Sequence, residues 1–324
     1  MNKETKKEPF VSVLTPVYNG AKYLEECIQS VLNQTYSNWE YVIVDNQSTD
    51  GSLDIIKKYV EQDSRIRVHS NEEFLPQMEN LNHAFRQISP KSKYCKVVHA
   101  DDWLFPECIA KMVELGEAHP SVGIVSAYRL DETVVNLDGL PYPSHVNEGK
   151  EVARRYLKHG TSQFGSPSSL LLRSDLIRKR DKVYEDSLLA TDTTACIDLL
   201  QESDFGFVHE VLTFTRRHDM SISNTEAKEN NAFIHARLFC LLTYGPIFLS
   251  EEEYKKSFTF QVNKYYILLA RNLFETKSIE EFNRQREILD HLELEFETGR
   301  FLKNVMREMV LQLFSIFGLK LEKA

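Results

Sequence analysis

Up to about residue 128, short runs of aliphatic and β-branched residues alternate with longer segments whose apolar positions recur at helical spacing. VSVLT (11–15), EYVIVD (40–45), RIRVHS (65–70), YCKVVHA (94–100) and VGIVSAY (122–128) predict five strands. Between them, residues 21–34 place Leu24, Cys27, Ile28, Val31 and Leu32 on one helical face. Residues 52–62 and 77–88 predict two more helices, and Pro106 suits the first turn of a fourth over 106–119. Strands separated by helices of this length predict βαβ units. The expected fold class is α/β, a mainly parallel central sheet covered on both faces.

Right-handed crossovers carry the carboxyl ends of such strands to one edge, where ligands of open α/β sheets bind. Strand one ends at TPVYNG, strand two at DNQSTDG and strand four at HADDW. Three polar clusters far apart in the chain are therefore expected to line one crevice.

Beyond residue 128 the pattern changes. Residues 129–224 are irregular and polar, with turn signals at LDGLPYPS and GSPSS, a helix near 192–202, and short strands at FGFV and VLTFT. From about 225 the apolar stripes are helical, over 233–245, 258–274, 278–292 and 301–317. The expected division is an α/β domain over 1–224, with a nucleotide-binding half over 8–128 and an acceptor half over 129–224. A helical C-terminal region follows over 225–324.

Composition narrows the function classes. The chain of 324 residues is 42% hydrophobic and 27% charged, which is enough apolar material for a sizeable core. A formal net charge of −9 leaves no basic excess to neutralise phosphates, so nucleic acid is not an expected partner. The five cysteines are scattered without CxxC spacing, as in a reducing compartment rather than a disulfide framework. The N-terminus MNKETKKEPF lacks an apolar signal region, and the apolar run at 309–319 is too short to span a bilayer. The expected location is cytoplasmic, or peripheral at the inner face of the cell membrane.

The adjacent carboxylates of Asp101 and Asp102 admit two readings from the residues alone. They can be neutralised by a nearby base, for which Lys93 and Lys96 are the close candidates, or they can bind a hard divalent cation.

The clusters taken together resemble the family 2 glycosyltransferases, which use the GT-A fold, a Rossmann-like sheet flanked by helices. The matching pieces are PVYN after strand one, SVLNQTYSNWEYVIVD into strand two, STDGS opening the next helix, and the aspartate-rich HADDW after strand four. The likeness weakens after residue 130 and resumes over 191–223, TDTTACIDLLQESDFGFVHEVLTFTRRHDMSIS.

The resemblance implies transfer of a sugar from a nucleoside-diphosphate donor, with inversion and with Mn²⁺ or Mg²⁺ as cofactor. By position, Asp102 would hold the metal and Asp101 would face the ribose, although a strand-end cap also fits Asp101. Asp192 would be the base that deprotonates the acceptor, or it would only cap the helix that follows; Asp186 is the fallback. Pro16, Tyr18, Asn19, Asp45 and Asn46 would line the nucleoside pocket. His218 would meet the diphosphate or its metal, with Arg216 and Arg217 supplying positive charge unless one of them pairs with Asp204 or Glu210 at the surface, and Asn80 and Asn82 would lie near the ribose or sugar.

Three positions depart from the family pattern: Asn46 and Thr191 stand where an acid is common, and His99 stands where many relatives begin the aspartate motif. Asn46 leaves the base open, with UDP favoured over dTDP or GDP. The segment FGSPSSLLLR (164–173) falls where an acceptor is expected to enter. That acceptor would be a glycan or a lipid-linked glycan, in the synthesis of a bacterial surface polysaccharide. Two other readings stand beside this one. A nucleotidyltransferase-like enzyme would need a Gly-rich basic loop after strand one, which TPVYNGAKY lacks; a catalytically silent nucleotide-sugar-binding scaffold would follow from the three departures.

In 301–317 a broad apolar face runs from Phe301 to Phe317, flanked by Arg300, Lys303, Arg307, Lys320 and Lys323. It predicts either packing within the tail or a dimer, or an interfacial helix on anionic lipid.

Overall fold

The computed structural model describes residues 8–136, 140–161, 163–187, 191–218, 231–275 and 279–316. Contacts divide the chain into two compact units, residues 1–225 and 226–324.

The first unit is built on one sheet. Its strands are β1 (Val11–Val17), β2 (Trp39–Asp45), β3 (Ile66–Ser70), β4 (Tyr94–Val97), β5 (Trp103–Leu104), β6 (Val122–Asp131), β7 (Val134–Asn136), β8 (Val146–Asn147), β9 (Leu171–Arg173) and β10 (Asp204–Thr215). They run in the order β3-β2-β1-β4-β9-β6-β10-β5, with β7 on β6 and β8 on β10. Pairings β1–β2, β2–β3, β1–β4 and β6–β10 are parallel, as the βαβ pattern predicts.

Strand β9 was not visible in the pattern. It lies antiparallel between β4 and β6, so those two still point the same way but the sheet is mixed. Its origin is the apolar triplet Leu170–Leu172, all buried, inside a segment whose Gly, Pro and Ser content reads as loop. Likewise FGFV and VLTFT are one twelve-residue strand rather than two. Its register shifts against β6 between Val208 and Val211, where His209 and Glu210 interrupt the apolar run.

Helices α1 (Ala21–Leu32), α2 (Ser52–Gln62), α3 (Gln77–Arg86) and α4 (Cys108–Ala118) cover the sheet, and α5 (Gly149–His159), α6 (Ser174–Arg178) and α7 (Asp192–Leu199) follow. Leu24, Cys27, Ile28 and Val31 of α1 are buried in one apolar cluster with Val13, Tyr41 and Ile43 of the sheet. Ile109, Met112 and Val113 of α4 join the same cluster with Val122 and Val125. Gly20 lets the turn after β1 close against the fourth strand's exit. A Cβ there would lie 2.7 Å from Val17 Cγ2 and 3.2 Å from the Ala100 methyl.

The second unit contains the helices α8 (Ala232–Phe248), α9 (Glu251–Glu275), α10 (Ile279–His291) and α11 (Thr298–Ile316). The long α9 packs against the other three, and Tyr265, Tyr266, Leu269 and Ala270 on it are buried, as is Leu289 of α10.

Candidate active site

The three polar clusters meet at the carboxyl ends of β1, β2 and β4. Two of them are laced together by main-chain donors. The N–H groups of Asn19, Gly20 and Ala21 donate to Ser48 Oγ (3.0 Å), Ser52 Oγ (2.9 Å) and Asp50 Oδ2 (2.9 Å). Asn19 itself is left-handed (φ 51°) and its Oδ1 accepts the Thr49 N–H at 2.8 Å. Asn19 is thus a clasp between the two loops. Pro16 lies near the end of β1, paired with Val44. Tyr18 is half exposed and edge-on to Phe74, with ring centroids 4.8 Å apart, which leaves an aromatic face at the rim of the crevice.

Asp45 is buried at the end of β2, with Oδ1 accepting the Ser48 N–H at 3.3 Å. Asn46 is buried too, and its amide is engaged with the protein. Nδ2 donates to Leu75 O (2.8 Å), while Oδ1 accepts from Asn71 Nδ2 (2.7 Å) and Leu75 N (2.9 Å). Asn46, expected to line the nucleoside pocket, thus has an Oδ1 that already accepts two bonds. Asn71, which carries no signal in the sequence, donates from Nδ2 to Asn46 and Asn80, and its own Oδ1 is buried without a hydrogen-bond partner. Asn82 turns away from this group: it accepts the N–H groups of Val183 and Tyr184 and donates to Tyr184 O.

Strand β4 leaves the ladder at Val97, and the His99 carbonyl accepts the Asp102 N–H at 3.0 Å to form a turn. That turn points the two carboxylates in different directions. Asp102 is buried, and its Oδ1 accepts the Arg216 N–H at 3.1 Å. Burial, then the neighbouring Asp101 charge, push the Asp102 carboxyl up to about 6, against the pull of His99, the Ser168 hydroxyl and the Arg216 N–H. Asp101 instead meets His218, whose Nε2 lies 2.9 Å from Asp101 Oδ2. His218 thus comes to the first aspartate, not the second.

The two arginines expected at the phosphates are engaged within the protein. Arg216 bonds Asp101 O and Glu26, and its guanidinium lies 4.5 Å from the Tyr23 ring centroid. Arg217 forks onto Asp131, with contacts of 2.7 and 2.6 Å. Its pairing follows from β6 running past its predicted end at Tyr128 to reach Asp131.

The floor beneath the aspartates comes from residues whose roles were not legible in the sequence. Ser168 Oγ accepts the His99 N–H at 3.0 Å and its hydroxyl also bonds the Asp102 carboxylate. Lys96, fully buried in β4, donates from Nζ to the carbonyls of Ser168 and Leu170. Its partners are thus neutral carbonyls, and burial draws its pKa down. Lys93, the other candidate, pairs with Glu117 of α4.

Asp192 is the first residue of α7, and Thr191 takes the N-cap position. Thr191 Oγ1 donates to Glu185 O (2.9 Å) and approaches Met78 Sδ, so the cap hydroxyl anchors the preceding loop instead of the helix. The Asp192 carboxylate bonds the N–H of Thr193 and its own N–H. Burial nevertheless raises its pKa, while His99 and Arg129 oppose that rise. His99 is therefore an electrostatic neighbour of both Asp102 and Asp192. Asp186, the fallback base, is paired with Lys182 at 2.7 Å.

A family model described as glycosyl transferase family 2 matches residues 12–180, which hold both laced loops, the aspartate pair and Ser168. The chain belongs to glycosyl transferase family 2. Among relatives of this family-2 chain, glycosyltransferase GlyG of Streptococcus pneumoniae serotype 4 is 30% identical over 227 residues, 67% of this chain and 73% of GlyG. TuaG of Bacillus subtilis, whose name carries a provisional assignment to teichuronic acid biosynthesis, is 36% identical over 110 residues. That match spans 34% of this chain and 43% of TuaG. Among solved structures, S. aureus TarS 1-349 in complex with UDP-GlcNAc superposes with a TM-score of 0.66. It covers 91% of this chain and 81% of the other at 18% identity, which shows a shared GT-A fold.

Among the described residues no three His, Cys, Asp or Glu side chains converge as a metal site. The donor set offered is two oxygen-bearing carboxylates with a histidine beside them. That set suits a hard cation sharing its shell with phosphate oxygens rather than one caged by protein. None of the described helices is long and apolar enough to cross a membrane.

Proposed function

We propose that the protein transfers a sugar from a nucleoside-diphosphate sugar, with UDP as the favoured nucleotide, to a glycan or lipid-linked glycan, with inversion at the anomeric carbon. The observation that carries this reading is that Asp102 and Asp192, from the two stretches that resemble the family, share His99 as an electrostatic neighbour. One carboxylate serves the leaving group and the other the incoming hydroxyl.

The nucleoside lies between the ends of β1 and β2, against Tyr18 and Asp45, with the unpartnered Asn71 Oδ1 as an acceptor that Asn46 orients. Asp101 faces the ribose from a position fixed by His218. Asp102 would hold Mn²⁺ or Mg²⁺ together with the diphosphate, and such a cation would offset the burial and the neighbouring Asp101 charge that disfavour its ionised carboxyl. When bound, such a cation would supply charge stabilisation to the departing diphosphate. Asp192 accepts the proton of the acceptor hydroxyl as that oxygen forms its bond to the anomeric carbon. The bond from that carbon to the diphosphate oxygen breaks, releasing the nucleoside diphosphate.

TarS binding UDP-GlcNAc supports a UDP-sugar donor, and TuaG supports a bacterial surface polysaccharide as the product. The test is nucleoside diphosphate release from a panel of UDP-, dTDP- and GDP-sugars, with and without Mn²⁺. Release from a UDP-sugar is expected, with loss in Asp102→Ala. Failure of every nucleotide sugar to bind, by calorimetry on the wild type, would sink the reading.

A further inference from the structure

The helix α11 buries two polar residues on its inner side, beside partly buried Phe301, Val305 and Leu311. Asn304 and Glu308 of α11 are buried, where Asn304 Nδ2 lies 3.4 Å from Asn263 Oδ1 and Glu308 Oε2 lies 3.9 Å from Arg271 Nε, both on α9. The opposite side is apolar and exposed. Leu302, Met306, Met309, Val310 and Leu313 recur at helical spacing and are each 47–66% exposed. Helices of water-soluble folds bury the apolar stripe and expose the polar one. Here half-buried Val305 and Leu311 share the inner side with Asn304 and Glu308, yet the broad apolar stripe from residue 302 to residue 313 stays exposed, so that face is built for something other than water.

Charge selects the occupant. The exposed charged residues of α11 are Lys303 and Arg307, and helical spacing sets both along one margin of the apolar stripe. The one acid of α11, Glu308, is buried, and the exposed acids described in the unit lie in α10, in the 293–297 connection and in the first turn of α9. A second copy laid antiparallel on this face about a two-fold axis would bring the two cationic margins side by side. An anionic lipid surface accepts both features: the apolar side chains enter the acyl boundary and the cations stay among the headgroups. On α9, Phe260 is 53% exposed with Lys264 Nζ 4.7 Å from its ring centroid, another exposed apolar side chain beside a cation.

We infer that the outer face of α11 is a membrane-docking surface specific for anionic lipid. It holds the enzyme against the bilayer without crossing it, whatever acceptor the active site uses.

The experiment is flotation of the full chain with phosphatidylcholine vesicles, with and without one third phosphatidylglycerol. Wild type should float with the anionic vesicles and remain behind with the neutral ones. Met306→Glu/Leu313→Glu should abolish flotation. Lys303→Gln/Arg307→Gln should weaken it by about fivefold per charge removed and flatten its salt dependence. All four positions are exposed, so unchanged circular dichroism and Tm should accompany each loss. Wild type that stays out of the anionic vesicle layer overturns the proposal. So does a Met306→Glu/Leu313→Glu variant that floats as wild type does. A wild-type dimer in sedimentation equilibrium that the same substitutions dissociate would make a second copy the occupant, and the lipid proposal would fall.

Discussion

His218 Nε2 lies 2.9 Å from Asp101 Oδ2, and two residues earlier the Arg216 N–H bonds Asp102 Oδ1 at 3.1 Å. The exit of β10 therefore holds both aspartates, each by a separate contact, more than a hundred residues away in sequence. This separates two roles that the family resemblance left merged for His218. A metal ligand would change the cation requirement when removed; a residue that fixes Asp101 would change donor affinity. For His218→Ala, the donor KM should rise about tenfold, the weight of one hydrogen bond to a charged group. The Mn²⁺ activation curve should keep its midpoint. A shifted midpoint with unchanged donor KM would identify His218 as a ligand.

His99 is an electrostatic neighbour of two carboxylates at once, and its imidazolium form would draw down the pKa of both Asp102 and Asp192. Replacement by Phe keeps the ring volume and removes that pull. Both carboxyls should then bind protons more tightly, so the acidic limb of the rate profile moves to higher pH. A pH–rate profile of His99→Phe that overlays wild type would show that His99 only fills space. The main-chain bonds of His99 to Ser168 and Asp102 are untouched by the substitution.

The converging loops and the aspartate pair were legible because they depend on strand ends, and strand ends follow from hydrophobic period. Strand β9 was not, because three leucines amid Gly, Pro and Ser carry no period long enough to separate strand from loop. Engagement of a side chain is also invisible to pattern. Arg217 reads as a phosphate contact or a partner of Asp204 or Glu210, and Asn46 as a pocket group, yet Asp131 neutralises the first, and Leu75 with Asn71 satisfies the second. Ser168 was hidden for the opposite reason, as a serine in a polar run gives no sign that its neighbours at position 170 onward form a buried strand. Lys96 did carry a signal, a lysine at a core position of a strand, and such a residue needs an explanation in any buried sheet.

Lys96 supports the segment that carries Ser168, and through it the Asp102 turn. Lys96→Met preserves most of the side-chain volume but leaves the Ser168 and Leu170 carbonyls without this donor. Relief from burying an amine offsets part of that loss, so destabilisation of about 2 kcal/mol is expected, a fall in Tm of about 4–8 °C. Activity should fall further than stability accounts for. The extra loss should appear in donor KM and in Mn²⁺ affinity, because the turn that orients Asp102 is loosened. Titrating Mn²⁺ against Lys96→Met at a temperature where both proteins are folded tests this. Unchanged Mn²⁺ affinity would confine Lys96 to the core.

Asp192→Asn should separate activity from stability. The carboxyl of Asp192 is raised above its ordinary value chiefly by burial, so the folded state binds its proton more tightly than the unfolded chain does. A raised folded pKa adds stability that is complete below the unfolded value of 3.8 and is lost as pH rises through the folded value. At neutral pH the wild type therefore carries an ionised group that the fold disfavours, and an uncharged amide removes that burden. The substituted amide retains an oxygen to accept the Thr193 N–H, so the start of α7 is preserved. Transfer should fall by about 10²–10⁴, the contribution of a general base, while donor binding by calorimetry stays within about twofold. Tm at pH 7 should rise relative to wild type, and the gain should vanish as the pH is lowered toward about 4, the ordinary range of an aspartate. A variant less stable than wild type at pH 7, with weakened donor binding, would assign Asp192 to holding the helix rather than to the proton.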